Sequence, residues 1–145
     1  MLEQLLANMY PGLSITVRSF TYTMKALLLL AGTNTSDIIA IDGGSDFIIL
    51  ASTFEADIAG AAQLHNTRVL PAVTILLTDS GPGGDLMDNP VPIPCMFGTG
   101  QFPYVWPQPR LMIAKSTLKG SFVSFEAAVT NSIRLQFHGV KVFVD

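Results

Sequence analysis

The sequence predicts an all-β protein: a single antiparallel β-sandwich of the jelly-roll type, preceded by a short N-terminal segment. The chain has 145 residues, which is the length of one domain. Short runs of β-branched, aromatic and aliphatic residues recur about every 8–12 residues with turn residues between them. These runs do not alternate with helical patterns, so the sequence lacks the rhythm of a parallel α/β sheet. A partly open barrel is the alternative architecture.

Residues 1–12 are predicted as an N-terminal arm or a short helix, and residues 13–145 as the sandwich. Leu2, Leu5, Leu6 and Met9 fall on one face of a helix. The Pro-Gly pair at 11–12 ends this segment. An apolar arm of this length is expected to pack on a neighbouring subunit or on its own sandwich.

The first half of the sandwich is predicted to contain four strands. Residues 14–23 alternate Ile15 and Val17 with Thr16 and Arg18. Residues 24–32 form a continuous apolar run that is either a strand buried on both faces or a buried helical turn, and its length and the stop at a glycine favour the strand. Residues 37–42 are a short strand, 46–56 are a strand with a polar second half, and 56–67 are a loop or a single turn.

The second half is predicted to contain four further strands, at 68–79, 110–117, 120–130 and 131–145, with a long turn at 80–89. Pro71 lies near the start of its strand, where a missing donor is tolerated. In the last strand, residues 133, 135 and 137 are apolar and alternate with polar residues until Gly139, which predicts a bulge there. The turn at 130–132 is predicted to join the last two strands as an antiparallel hairpin.

The composition predicts a protein that buries surface in an assembly. Charged residues make up 13% of the chain and hydrophobic residues 49%, whereas ordinary domains are about 25% charged. The net charge of −3 argues against nucleic acid and against anionic membrane as partners. The longest apolar run, 26–31, is far below the ~20 residues that span a bilayer. The N-terminus lacks the basic start of a signal peptide, so we expect synthesis in the cytosol.

No metal or cofactor site is predicted. His65 and His138 do not have ligand spacing, and His138 is predicted to be an ordinary surface or interface histidine. Three aspartates at 79, 85 and 88 bracket a glycine-rich turn that could bind calcium, but turns favour the same residues. Cys95 is the one cysteine, which excludes an internal disulfide.

No catalytic residues are predicted, and the protein is expected not to be an enzyme. Neither the G-x-S-x-G motif nor the G-K-[ST] of a phosphate-binding loop occurs. The enzyme alternative is a site assembled in space from Ser45, Asp46 and a histidine.

Residues 88–110, "DNPVPIPCMFGTGQFPYVWPQPR", combine six prolines with four aromatic residues. Prolines remove backbone donors, which suits an edge strand or an extended loop. Aromatic residues and arginine often anchor protein interfaces. We therefore predict two groups of interface residues: Phe102, Tyr104, Trp106 and Arg110 in this segment, and Leu2, Leu5 and Leu6 at the N-terminus. The alternatives are that the aromatic residues cap the core, or that Trp106, Tyr104, Gln101 and Gln108 bind carbohydrate.

Four stretches resemble structural proteins of tailed-phage virions. They are "SDFIILASTFEAD" (45–57), "LPAVTILLTDSGPGGDLMDNPVPI" (70–93), "GTGQFPYVWPQPRLMIAKSTL" (98–118) and "VTNSIRLQFHGVKVF" (129–143). The pattern resembles that of jelly-roll cement or decoration proteins. The resemblance implies a dimer or trimer on the outside of the capsid that joins neighbouring major-capsid subunits. The same resemblance is also compatible with a neck, tail or fibre-base protein of the virion.

Overall fold

The computed structural model describes residues 2–58, 71–81, 83–126 and 130–145. Helix α1 is Leu2–Met9, as predicted, and it is too short to cross a membrane. Nine strands follow among the described residues, with one 3₁₀ turn at Ile93–Cys95. They are β1 (Ile15–Leu29), β2 (Asn34–Ala40), β3 (Asp46–Ile58), β4 (Val73–Asp79), β5 (Gly84–Asp85), β6 (Val91–Pro92), β7 (Tyr104–Met112), β8 (Thr117–Ser124) and β9 (Asn131–Val144).

The strands form two antiparallel sheets that pack as a jelly-roll sandwich, which confirms the predicted fold class. Sheet A has the order β1-β9-β3-β7. Sheet B has the order β2-β8-β4, and β5 and β6 both pair with β4. The chain crosses from one sheet to the other at almost every connection, which is the winding of two Greek keys.

The predicted hairpin between the last two strands is wrong. β8 lies in sheet B, whereas β9 lies in the middle of sheet A between β1 and β3. Alternation in the sequence shows which face of a strand is buried, but it does not show which strand lies beside it. Similarly, the separate strands predicted at 14–23 and 24–32 are one 15-residue strand, β1.

The predicted bulge lies opposite Gly139. The extra residue is Leu50 on β3, between the pairs Ile49↔Gly139 and Ala51↔His138. A Cβ on Gly139 would collide with the carbonyl oxygen of Ile48. The glycine therefore marks a close approach of two backbones, and the neighbouring strand carries the additional residue.

The core fills the space between the sheets. Its largest fully buried side chains include Phe47, Phe97, Phe122 and Phe137. Met24 of sheet A projects towards Gly120 of sheet B, where a Cβ would collide with its sulfur.

A second, smaller apolar cluster lies on the outer face of sheet A. Ile48, Val140 and Val142 are buried there. Helix α1 covers them with Leu2, Leu5, Leu6 and Met9. The N-terminal segment therefore packs on its own sandwich, which is one of the two predicted arrangements.

Candidate interaction surfaces

Trp106 is a core residue, which corrects its prediction as a surface anchor. Its side chain is only 8% exposed. The indole Nε1 donates to the Ser52 hydroxyl at 3.0 Å, and that hydroxyl donates to the Met96 carbonyl at 2.6 Å. β7 bulges between the pairs Ala51↔Val105 and Ile49↔Arg110, so Trp106 is in the bulged stretch. Because the ring points inwards, Trp106 offers no platform for a sugar in this structure.

Arg110 is engaged inside the fold. Its Nη2 lies 3.3 Å from the Asp79 carboxylate, which also accepts the Gly81 amide at 2.8 Å. A Cβ on Gly83 would collide with the guanidinium. The glycine-rich turn thus wraps an ion pair between sheets A and B. The Asp79 carboxylate, which was a candidate calcium ligand, is thus paired with Arg110. The described residues contain no cluster of three potential metal ligands.

Phe102 is the most exposed of the four candidates in the proline-rich segment, at 79%. It sits in a tight turn in which the Thr99 amide donates to the Phe102 carbonyl at 3.0 Å. The Phe102 amide in turn donates to the Thr99 hydroxyl at 3.2 Å. Tyr104, two residues later, is half-buried and packs on the core. An interface role for Phe102 stays a prediction.

The N-terminal candidates Leu2, Leu5 and Leu6 are half-buried against sheet A. The helix is held in place by Tyr10, whose hydroxyl donates to Asp46 Oδ2 at 2.6 Å. Burial, together with the bond to the Asp46 carboxylate, raises the pKa of Tyr10 well above its ordinary value. These leucines therefore have a structural role within the chain.

The residues proposed for the enzyme alternative do not come together in the described structure. Ser45 is buried, and Asp46 accepts both Tyr10 and the Ala114 amide at 2.8 Å. His138 lies on the outer face of sheet A with threonines as its partners. His65 lies outside the described residues.

A group of exposed apolar residues, which we call the leucine end, lies where β1 finishes and β8 finishes. It consists of Leu27, Leu28, Leu30 and Phe125. The two chain segments meet because the Ser124 amide donates to the Thr33 carbonyl at 2.9 Å. Sequence reasoning missed this surface because it assigned the whole run 24–32 to the interior. A strand buried on both faces could have enclosed these leucines, but β1 lies at the edge of sheet A.

A groove of about 670 Å³, lined by both apolar and polar residues, lies on the outer face of sheet A. Its polar lining residues include Thr53, Gln136 and His138, and the neighbouring turn contributes Gly100 and Pro103. Thr53 donates to Gln136 Oε1 at 3.1 Å and lies 2.9 Å from His138 Nε2. On the other side of the imidazole ring, the Thr21 hydroxyl lies 3.1 Å from His138 Nδ1. The groove presents donors and acceptors of the kind that a small polar ligand needs.

Three comparisons with known proteins yield no match. None of the family models matches the chain, and no curated protein or solved structure matches it either. The surfaces above therefore stand on the chemistry and geometry of this chain alone.

Proposed function

We propose that this protein is a non-enzymatic structural component of a tailed-phage virion. Its role is that of a cement protein, which stabilises the head by binding across joints between major-capsid subunits. The proposal is supported by the resemblance of the four sequence stretches, by the jelly-roll fold and by the low fraction of charged residues. The leucine end is the surface that docks.

Leu28 is the single observation that carries the proposal. Its backbone is left-handed, with φ of 54°, and its side chain is 73% exposed. A branched side chain in this conformation costs about 1–2 kcal/mol, whereas asparagine or glycine adopts it readily. An exposed leucine side chain also does not improve the solubility of the protein. Neither the fold nor the solvent explains this leucine, but an apolar contact with another protein does.

We expect docking to be driven by the burial of apolar surface between the two proteins. Because the chain has few charged residues, little free energy is lost in removing water from charges. An interface of standard size buries about 1,600 Å² in total, and aromatic or aliphatic side chains near its centre contribute most. Each contact need not be strong, because many copies act together on one shell. Phe102 is a second candidate for contact, since it is exposed on a hydrogen-bonded turn.

A substitution of Leu28 by asparagine separates docking from folding. We expect Leu28→Asn to bind more weakly to purified capsids of the phage that encodes the chain, as measured by co-sedimentation. We expect its thermal stability to be unchanged or higher, by up to about 1 kcal/mol, because asparagine tolerates the left-handed backbone.

The matched control is Leu13→Asn, because Leu13 is 54% exposed and lies before the opposite end of β1. This variant is expected to bind capsids like the unmodified chain. Equal capsid binding by the Leu28 and Leu13 variants would contradict the leucine end as the docking surface. Binding to isolated necks or tails, with none to capsids, would move the protein elsewhere in the virion.

The groove on the outer face of sheet A favours a second candidate, a carbohydrate-binding module. Thr53, Gln136 and His138 supply hydrogen-bonding groups, although Trp106 does not contribute a stacking surface. Titration with a panel of oligosaccharides distinguishes the two candidates. Sugar binding by a chain that does not bind capsids would replace the cement hypothesis.

A further inference from the structure

The outer edge of β1 is an open strand edge. β1 is the first strand of sheet A and pairs with β9 alone in that sheet. Near its far end it approaches β2, where the Lys25 amide donates to the Asp37 carboxylate at 3.0 Å. The preceding residues, Ile15–Thr23, form a long edge that carries Val17 and Phe20 as exposed apolar side chains.

Two hydrogen bonds establish which backbone groups face this edge. The Lys25 amide points away from β9, since it bonds to Asp37. The Ser14 carbonyl points the other way, since it accepts the Asp145 amide at 2.9 Å. The register between β1 and β9 is unbroken from Ile15 to Ala26, so the two orientations alternate strictly between these points. The odd-numbered residues from 15 to 23 therefore direct their N–H and C=O groups outwards.

Prolines protect the edges formed by β7 and β6, but not this one. β7, at the opposite edge of sheet A, contains Pro107 and Pro109. β6, at the margin of sheet B, contains Pro92 and lies between Pro90 and Pro94. Prolines and lysines are the usual means of preventing edge-to-edge association. The stretch Ile15–Thr23 contains neither.

We infer that two copies of this chain pair through the β1 edge, antiparallel, about a two-fold axis at Ser19. Arg18 is the one charged residue in this stretch. An axis at Ser19 lies at the centre of Ile15–Thr23, so that every outward residue of one copy meets an outward residue of the other. An axis at Arg18 would place two guanidinium groups face to face, which is unfavourable. The paired copies form one continuous sheet of twice four strands.

This inference concerns self-association and does not rest on the proposed role in the virion. A strand from a different protein is the competing occupant of the edge. The self-complementary register favours the second copy, and it specifies which residues lie opposite each other. Both features are accessible to experiment with the purified chain.

Disulfide trapping tests the register directly. In the Cys95→Ser background, which removes the one native thiol, Ser19→Cys should form a covalent dimer under mild oxidation. Two residues opposite each other in a hydrogen-bonded pair have Cα atoms about 5.5 Å apart, which a disulfide bridges. The control is Thr21→Cys, because Thr21 would lie opposite Val17 and far from its own copy. Equal trapping of the two variants, or trapping of neither, would overturn the register.

Proline substitution tests the edge by a second route. Ser19→Pro removes an outward amide that bonds to no strand of its own chain, whereas Ser19→Ala retains it. Sedimentation equilibrium should show a dimer for the unmodified chain and for Ser19→Ala, and a shift to monomer for Ser19→Pro. A monomeric unmodified chain at every concentration would refute the inference. If Ser19→Pro fails to fold by circular dichroism, the trapping experiment decides alone.

Discussion

At the scale of single residues, glycine controls how closely the strands approach. A Cβ on Gly139 would collide with the Ile48 carbonyl, and a Cβ on Gly98 would collide with the Phe102 carbonyl. Backbone atoms cannot move aside without shifting a strand. These positions therefore require glycine for space, whereas Gly12 and Gly32 occupy left-handed turns.

Replacement of Gly139 by alanine should be strongly destabilising. We expect Gly139→Ala to lower the free energy of unfolding by about 2–4 kcal/mol, because β9 must separate from β3 to admit the methyl group. Urea denaturation measures the change. Gly44→Ala is the control, since its Cβ would meet no atom within 4 Å. Similar losses in the two variants would show that close approach is not the cause.

At the scale of elements, helix α1 is a cover for the outer face of sheet A. Its apolar side faces Ile48, Val140 and Val142. Eight residues are too few for a stable isolated helix, so this packing and the Tyr10–Asp46 hydrogen bond hold it. Detachment of helix α1 would expose this apolar patch on the outer face of sheet A.

The Tyr10 hydroxyl should make the docking of α1 sensitive to alkaline pH. Its pKa is raised in the folded chain, so the folded state holds the phenolic proton more tightly than the unfolded state does. This contribution to stability is complete below pH ~10, the ordinary tyrosine value, and declines as the pH rises further. We expect Tyr10→Phe to cost about 1 kcal/mol at neutral pH. The difference from the unmodified chain should shrink above pH ~10 in denaturation experiments, and a constant difference would contradict this account.

The proline-rich segment 88–110 builds one margin of the molecule. It supplies β6, the 3₁₀ turn, the turn bearing Phe102 and most of β7. Its prolines lie in the edge strands or beside them, as the sequence predicted. Its aromatic residues have two different environments. Phe97 and Trp106 are buried in the core, whereas Phe102 is exposed to solvent.

At the scale of the whole molecule, the ion pair between Arg110 and Asp79 links the two sheets beside the apolar core. Arg110→Met should lower the free energy of unfolding by about 1–3 kcal/mol, because the buried Asp79 carboxylate loses its cation while the half-buried arginine was partly screened by water. Calorimetry measures the loss. Adding Asp79→Asn should restore part of the stability, since an amide oxygen can still accept the Gly81 amide. A double variant less stable than Arg110→Met would contradict this role.

The two proposed surfaces lie apart on the molecule. The leucine end follows the far end of β1, whereas the pairing edge is centred on Ser19. An antiparallel dimer would point its two leucine ends in opposite directions. One dimer would then reach two separate joints of a shell, which suits a protein that connects neighbouring subunits.

The sequence by itself determined the fold class, helix α1, most strand positions and the irregularity at Gly139. These features depend on local alternation, turn residues and helical spacing, which are written along the chain. Only the tertiary structure decided that β9 lies between β1 and β3, that Trp106 points inwards and that Arg110 meets Asp79. Those facts depend on which distant strands become neighbours. A pattern of alternation specifies the buried face of each strand, but the partner is selected by the packing of the whole sandwich.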